Sequence, residues 1–148
     1  MRDRLVIALL LAAAVLVAAG GFIHLREWLD TYRNVPAAVA GASVVRVGFL
    51  LNAAASLVIA GALLATAWRL RRFVMVTVIS AIAFQAASLG VLILSRTGDV
   101  FGWTERGWMG GAQQARAVEI AALVALVGAL AVGRRTAALA RDPVTTVH

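Results

Sequence analysis

Four long apolar runs constrain this chain more than any other feature. They cover about residues 5–23, 44–67, 73–94 and 113–133, and each approaches the roughly 20 apolar residues that a helix needs to cross a bilayer. None of them alternates apolar and polar residues in the way that half-buried strands do. Because backbone polar groups in hydrocarbon must be satisfied within their own segment, the runs predict four transmembrane α-helices.

The composition agrees with a membrane protein. The chain has 148 residues, of which 62% are hydrophobic and only 14% are charged, so a soluble fold would lack a polar coat. We predict an all-α membrane protein, a four-transmembrane-helix bundle in a single domain over residues 1–148, with the lipid bilayer as its main partner. The chain has no cysteine, which excludes disulfides and thiol chemistry. Its net charge of +7 lies in clusters between the apolar runs, so no nucleic-acid partner is expected.

The distribution of arginine predicts that both termini are cytoplasmic. With the N-terminus inside, eight arginines lie on the cytoplasmic side and six lie outside, and the turn "WRLRRF" alone holds three of the eight. The positive-inside rule thus orients the chain, and we expect a multi-pass protein of the bacterial cytoplasmic membrane. Each pair of runs then forms a hairpin that begins inside, which gives two parallel hairpin units. A cleaved signal peptide over the first 20 residues is the competing interpretation, and it would leave three spans.

The stretch after the first run, "HLREWLDTYRNVP", predicts a short amphipathic helix over about residues 25–35. Its apolar side chains share one helical face, its charged side chains occupy the others, and Pro36 restricts Val35 and should end the helix. We expect this helix on the outer surface, as a separate element or as a bent continuation of the first span, with aromatic side chains at headgroup level. The expected interfacial residues are Trp28, Tyr32, Trp103 and Trp108.

Polar residues within the spans indicate where a site could lie. At about 1.5 Å per residue, Asn52, Gln85 and Glu119 lie roughly 9–13 Å below the outer ends of their helices, with His24 somewhat higher. Polar groups at that depth are costly unless they are satisfied, so they should meet in one layer. The candidate ligand-binding residues are His24, Arg46, Asn52, Gln85, Arg116 and Glu119. The alternative is purely structural: amides that bond helix to helix, and Glu119 paired with Arg116 or Arg46.

Several chemistries are not predicted. The chain contains no dinucleotide-binding glycine motif, no phosphate-binding loop and no HExxH sequence. It has two histidines, and His148 is the last residue, so bis-histidine haem ligation is excluded. We therefore expect no catalytic residue, no cofactor and no metal site.

Three motifs carry a resemblance. "HLREWLDTYRNVP", "VGFLLNAAASLVIAGALL" and "FGWTERGW" followed by "ARAVEIAALV" resemble a group of small four-span membrane proteins from actinobacteria. The resemblance covers most of residues 20–125 and implies a fold and a compartment. The matching positions are His24, Tyr32, Arg33, Pro36, Asn52, Glu105 and Glu119. The segment "AGGFIHL" also resembles DoxX-type four-span proteins, a likeness that implies a link to quinone-coupled redox systems.

Three functions are compatible with this sequence. The first is a non-catalytic accessory or assembly subunit of a larger membrane complex, with other membrane subunits or further copies of the chain as partners. The second is a quinol- or lipid-binding protein with a site in the outer half of the bundle. The third is a small proton-coupled exporter that uses Glu119, although its carboxylate lies in the last span and the arginine bias opposes dual insertion.

Overall fold

The computed structural model describes residues 2–69, 71–105, 107 and 110–139. Over these residues it holds four long helices that are apolar and long enough to cross a membrane, which confirms the predicted all-α fold with four long apolar helices. The helices are α1 (Arg2–Asp30), α2 (Ala42–Trp68), α3 (Val74–Thr97) and α4 (Gly111–Leu139). Short 3-10 turns over Tyr32–Asn34 and Arg71–Phe73 follow α1 and α2.

The first helix is longer than the apolar run that predicted it. Residues 25–30 form its last turns and residues 32–34 form a 3-10 turn, so the structure holds no separate helix over 25–35. No glycine or proline lies between Ile23 and Pro36, and charged residues are good helix formers, so nothing stops α1 where the hydropathy falls. The α-helix nevertheless ends at Asp30, earlier than Pro36 predicts, and only Val35, directly before the proline, is extended (φ −61°, ψ 125°) as expected.

The four helices form a ring in chain order. α1 packs most extensively, against α2 on one side and α4 on the other, while α3 packs on α4 and more sparsely on α2. The core is rich in alanine, with Leu10, Leu63 and Leu126 as its largest apolar side chains. Small residues let helices approach closely and pack well. In lipid this van der Waals packing stabilises the bundle, because burial of apolar surface gives no hydrophobic driving force there.

Large apolar side chains cover the outside of the bundle. Val58 is 72% exposed, Val124 is 68% exposed and Phe22 is 67% exposed, on three different helices. Exposed apolar surface of this extent is unfavourable in water and suits acyl chains. The structure is thus that of a multi-pass membrane protein.

The loop after α3 folds back onto the loop before α2. Val100 and Trp103 exchange two backbone hydrogen bonds around Phe101 and Gly102, whose positive φ values of 53° and 87° make a tight reversal. This turn packs on Gly41, where a Cβ atom would lie 2.7 Å from the Trp103 nitrogen. Gly41 also has a φ of 74°, so both its space and its backbone conformation require glycine.

Candidate functional site

A buried chain of polar side chains connects all four helices. Asn52 Nδ2 on α2 donates to Ser88 Oγ on α3 over 2.6 Å, and Ser88 Oγ donates to Glu119 Oε1 on α4 over 2.6 Å. His24 Nε2 on α1 lies 3.1 Å from the same carboxylate oxygen. Glu119 is 1% exposed, so these partners, and not solvent, satisfy its buried Oε1 atom. We call Asn52, Ser88, His24 and Glu119 the polar network.

Close packing of α1 on α2 positions the network. Ser56 Oγ donates to Asn52 Oδ1 over 3.3 Å and holds the amide from below. Ser56 in turn faces Gly21, where an added Cβ atom would lie 2.5 Å from the Ser56 Cβ. His24 follows Gly21 by three residues on the same face of α1, so the glycine brings the imidazole within reach of α4.

A second polar cluster lies toward the end of the bundle where the α1–α2 and α3–α4 loops meet, which we call the outer end. The Tyr32 hydroxyl donates to Glu105 Oε2 over 2.5 Å, and Arg96 Nη1 lies 2.8 Å from the same oxygen. The Glu105 backbone nitrogen also donates to the Ser95 carbonyl over 2.9 Å. These bonds fasten the α3–α4 loop to both α1 and α3. We call Tyr32, Arg96 and Glu105 the outer cluster.

Phe49 separates the two polar layers. Its ring stacks on Tyr32 with centroids 4.1 Å apart and meets His24 edge-on at 5.2 Å. Tyr32 also makes an edge contact of 6.0 Å with Trp103. The aromatic contacts continue the path from the polar network to the outer cluster without hydrogen bonds.

A cavity of about 430 Å³ lies between the outer halves of α2 and α3 and is partly open. Asn52, Ser88 and His24 line it at the level of the polar network, and Arg96 and Glu105 line it at the outer cluster. The walls between these two levels are apolar: Val44, Val45, Gly48, Phe49, Leu51, Ala55, Phe84, Ala87, Val91, Leu92, Val100, Phe101 and Trp103. A space of this size with few convergent polar groups is typical of a small-molecule site.

Three of the six candidate site residues meet as the sequence predicts. His24, Asn52 and Glu119 belong to the polar network. Gln85 is also buried, at 2% exposed, but it does not belong to the polar network. Its Nε2 has no hydrogen-bond partner among the described residues. Sequence reasoning omitted Ser88 from the site, although it lies one turn from Gln85 and shares its polar stripe.

The two candidate arginines are less buried than Glu119. Arg46 is half-buried and its Nε donates to the Ala42 carbonyl within its own helix, over 3.3 Å. The Arg116 side chain is exposed, whereas Glu119 is 1% exposed. The structure instead gives Glu119 a histidine and a serine as its hydrogen-bonding partners.

The aromatic residues that were expected at the membrane interface differ in how deeply they are buried. Trp28 and Trp103 are half-buried, and Trp108 lies outside the described residues. Tyr32 was expected at headgroup level, but it is 3% exposed and turned inward. The prediction assumed an α-helix through residue 35, whereas the 3-10 turn changes the direction in which Tyr32 points.

The described residues contain no group of three or more His, Asp or Glu side chains that could hold a metal ion. Comparisons of this chain with protein-family models, with curated proteins and with solved structures found no match. The functional argument therefore depends on the geometry of the site alone.

Proposed function

We propose that this chain is a multi-pass protein of the bacterial cytoplasmic membrane that binds a membrane-soluble amphipathic molecule, a quinone or a lipid, in the cavity between α2 and α3. The observation that carries the proposal is the position of the polar network: three of its members line a cavity of about 430 Å³ whose walls are otherwise mostly apolar. Such a cavity accommodates a polar head and part of a hydrocarbon tail.

The position of the cavity supports a ligand that arrives through the bilayer. Its apolar walls include exposed side chains of both helices, among them Leu51 (63% exposed) on α2 and Val91 (54% exposed) on α3. In a membrane these side chains contact acyl chains, so a hydrophobic molecule reaches the cavity without crossing water. Ligand sites between the helices of bundles are common for this reason.

The proposal includes the finer topology that the sequence predicts. Both termini are cytoplasmic, by the arginine distribution, and the two hairpins run parallel. The polar network and the cavity then lie in the outer half of the membrane. The turns around residues 31–41 and 98–105 then form the outer surface, with aromatic side chains at the interface.

The accessory-subunit hypothesis and the exporter hypothesis stay predictions. A bound lipid or quinone is compatible with an accessory subunit, since such a subunit can carry a ligand for a larger complex. The cavity gives the ligand-binding hypothesis a specific observation that the other two lack, and it is therefore the function proposed.

The test fills the cavity without disturbing the fold. A Cβ atom added at Gly48, which lines the cavity, meets nothing within 4 Å, so Gly48→Phe places a ring in the space of the ligand. Gly61 lies on the same helix, is equally unobstructed and does not line the cavity, so Gly61→Phe is the matched control. Hydrophobic molecules are extracted from each purified protein and quantified by mass spectrometry per mole of chain.

We expect wild type and Gly61→Phe to carry the same lipid or quinone and Gly48→Phe to have lost it. A long-tailed benzoquinone or a diacylglycerol added to detergent-purified protein should bind to wild type and to Gly61→Phe more tightly than to Gly48→Phe. Equal retention of ligand by Gly48→Phe and Gly61→Phe, or no binding by wild type, would refute the proposal.

A further inference from the structure

The two hydrogen bonds that join Asn52, Ser88 and Glu119 run in one direction. The Asn52 amide donates to Ser88, and the Ser88 hydroxyl donates to the Glu119 carboxylate. An amide nitrogen carries two hydrogens, and the described structure gives Asn52 Nδ2 one bond. The second N–H belongs to a residue that lines the cavity and is only half-buried.

The basic side chain at this level of the cavity is already paired. Glu119 Oε1 accepts from Ser88 and lies 3.1 Å from Nε2 of His24, the imidazole that lines the cavity. Among the described residues, the floor of the cavity therefore offers a ligand the remaining Asn52 N–H and no unpaired cation.

From these two facts we infer that the ligand carries an uncharged carbonyl oxygen that accepts a hydrogen bond from Asn52 Nδ2. This inference rests on the proposed function, and it selects the class of molecule that the cavity takes. A neutral carbonyl matches the donor and needs no cation. A fatty-acid carboxylate or a lipid phosphate brings a charge into a mostly apolar cavity whose described basic residues are already paired, and an alkane leaves the donor unmatched.

The outer cluster supports the same choice. An anionic head at the mouth of the cavity would need a cation, but the Arg96 guanidinium already lies 2.8 Å from the Glu105 carboxylate. The pair is neutral as a unit. Arg96 and Glu105 therefore supply polarity at the mouth without supplying net positive charge.

The experiment compares probes that differ only in their head groups. Detergent-purified protein is titrated with a long-chain methyl ketone, the fatty-acid anion of equal chain length and the parent alkane. One neutral hydrogen bond corresponds to about a three- to tenfold change in affinity, so the ketone should bind at least that much more tightly than the alkane. The fatty-acid anion should bind more weakly than the ketone.

Two variants separate the donor from the charge. Asn52→Leu keeps the side-chain volume and removes the donor, so the ketone should fall to the affinity of the alkane, which is itself unchanged. Glu105→Gln keeps an acceptor for Tyr32 and leaves Arg96 without its carboxylate partner, so the disadvantage of the fatty-acid anion relative to the ketone should shrink. If Asn52→Leu does not fold, the wild-type series still tests the inference.

The outcomes distinguish this inference from the proposed function. If the ketone and the alkane bind wild type equally, or if the anion binds more tightly than the ketone, the inference is wrong while a cavity ligand remains. If none of the probes binds, the proposed function itself fails. Two further probes, a long-tailed benzoquinone and a diacylglycerol, both carry neutral carbonyls, and their relative affinities identify which source the cavity prefers.

Discussion

Ser88 is the residue whose removal tests the polar network most directly. Its hydroxyl accepts from Asn52 and donates to Glu119, so Ser88→Ala removes both bonds between α3 and its two neighbours at this level. Side-chain hydrogen bonds between membrane helices average about 0.6 kcal/mol and reach about 1.7 kcal/mol. Two such bonds give an expected loss of roughly 1–3 kcal/mol in the free energy of unfolding. His24 stays within reach of Glu119, so the carboxylate keeps one partner.

The matched control for this change is Ser80→Ala. Ser80 is exposed on the same helix, and an exposed substitution of this kind typically changes stability by less than about 0.5 kcal/mol. Both variants are unfolded in mixed micelles of increasing denaturing-detergent fraction, with helix content followed by circular dichroism. Equal midpoints for Ser88→Ala and Ser80→Ala would show that the network does not stabilise the bundle, and the reasoning from its short distances would be wrong.

Two further predictions concern glycines that permit close approach. Gly21→Ala places a Cβ against α2, and overpacking of this kind costs about 1–3 kcal/mol of stability. The midpoint of unfolding in the same assay should fall, and an unchanged midpoint would contradict the close α1–α2 contact. Gly41→Ala puts a side chain on a left-handed backbone, at a cost of about 1–2 kcal/mol, and also brings its Cβ against the backbone of Trp103. We expect faster hydrogen exchange in residues 98–105, and unchanged protection there would contradict the packing of the two outer loops.

The sequence was sufficient for the helices because the bilayer imposes few solutions. A run of about 20 apolar residues without a strand pattern has to be a helix in lipid, and this argument needs no tertiary contact. The end of α1 was harder to predict, because hydropathy marks where the chain leaves hydrocarbon and not where the backbone stops being helical. Charged residues beyond Ile23 continue the helix to Asp30.

The sequence predicted the depth at which the polar side chains meet, but not all of the residues that form the site. Depth along the helix, at a known rise per residue, brought His24, Asn52 and Glu119 together, because polar groups in hydrocarbon require partners. The choice between Gln85 and Ser88 depends on the rotation of α3 and on its height within a few ångströms, which a single sequence does not determine. The outer cluster depends on a loop conformation with positive φ at Phe101, which is rare for a non-glycine residue and has no sequence signal.

The two polar layers have different consequences for a ligand in the cavity. The outer cluster joins the α3–α4 loop to α1 through Tyr32 and to α3 through Arg96, so the upper boundary of the cavity is fixed by an ion pair and a hydrogen bond. The polar network fixes the floor, where all four helices contribute one side chain. Since floor and mouth are both cross-linked while α2 and α3 pack sparsely, the gap between these two helices is the part of the boundary that can widen at least cost. On the proposed function, we therefore expect a ligand to enter sideways from the bilayer, with its tail between α2 and α3 and its head against Asn52.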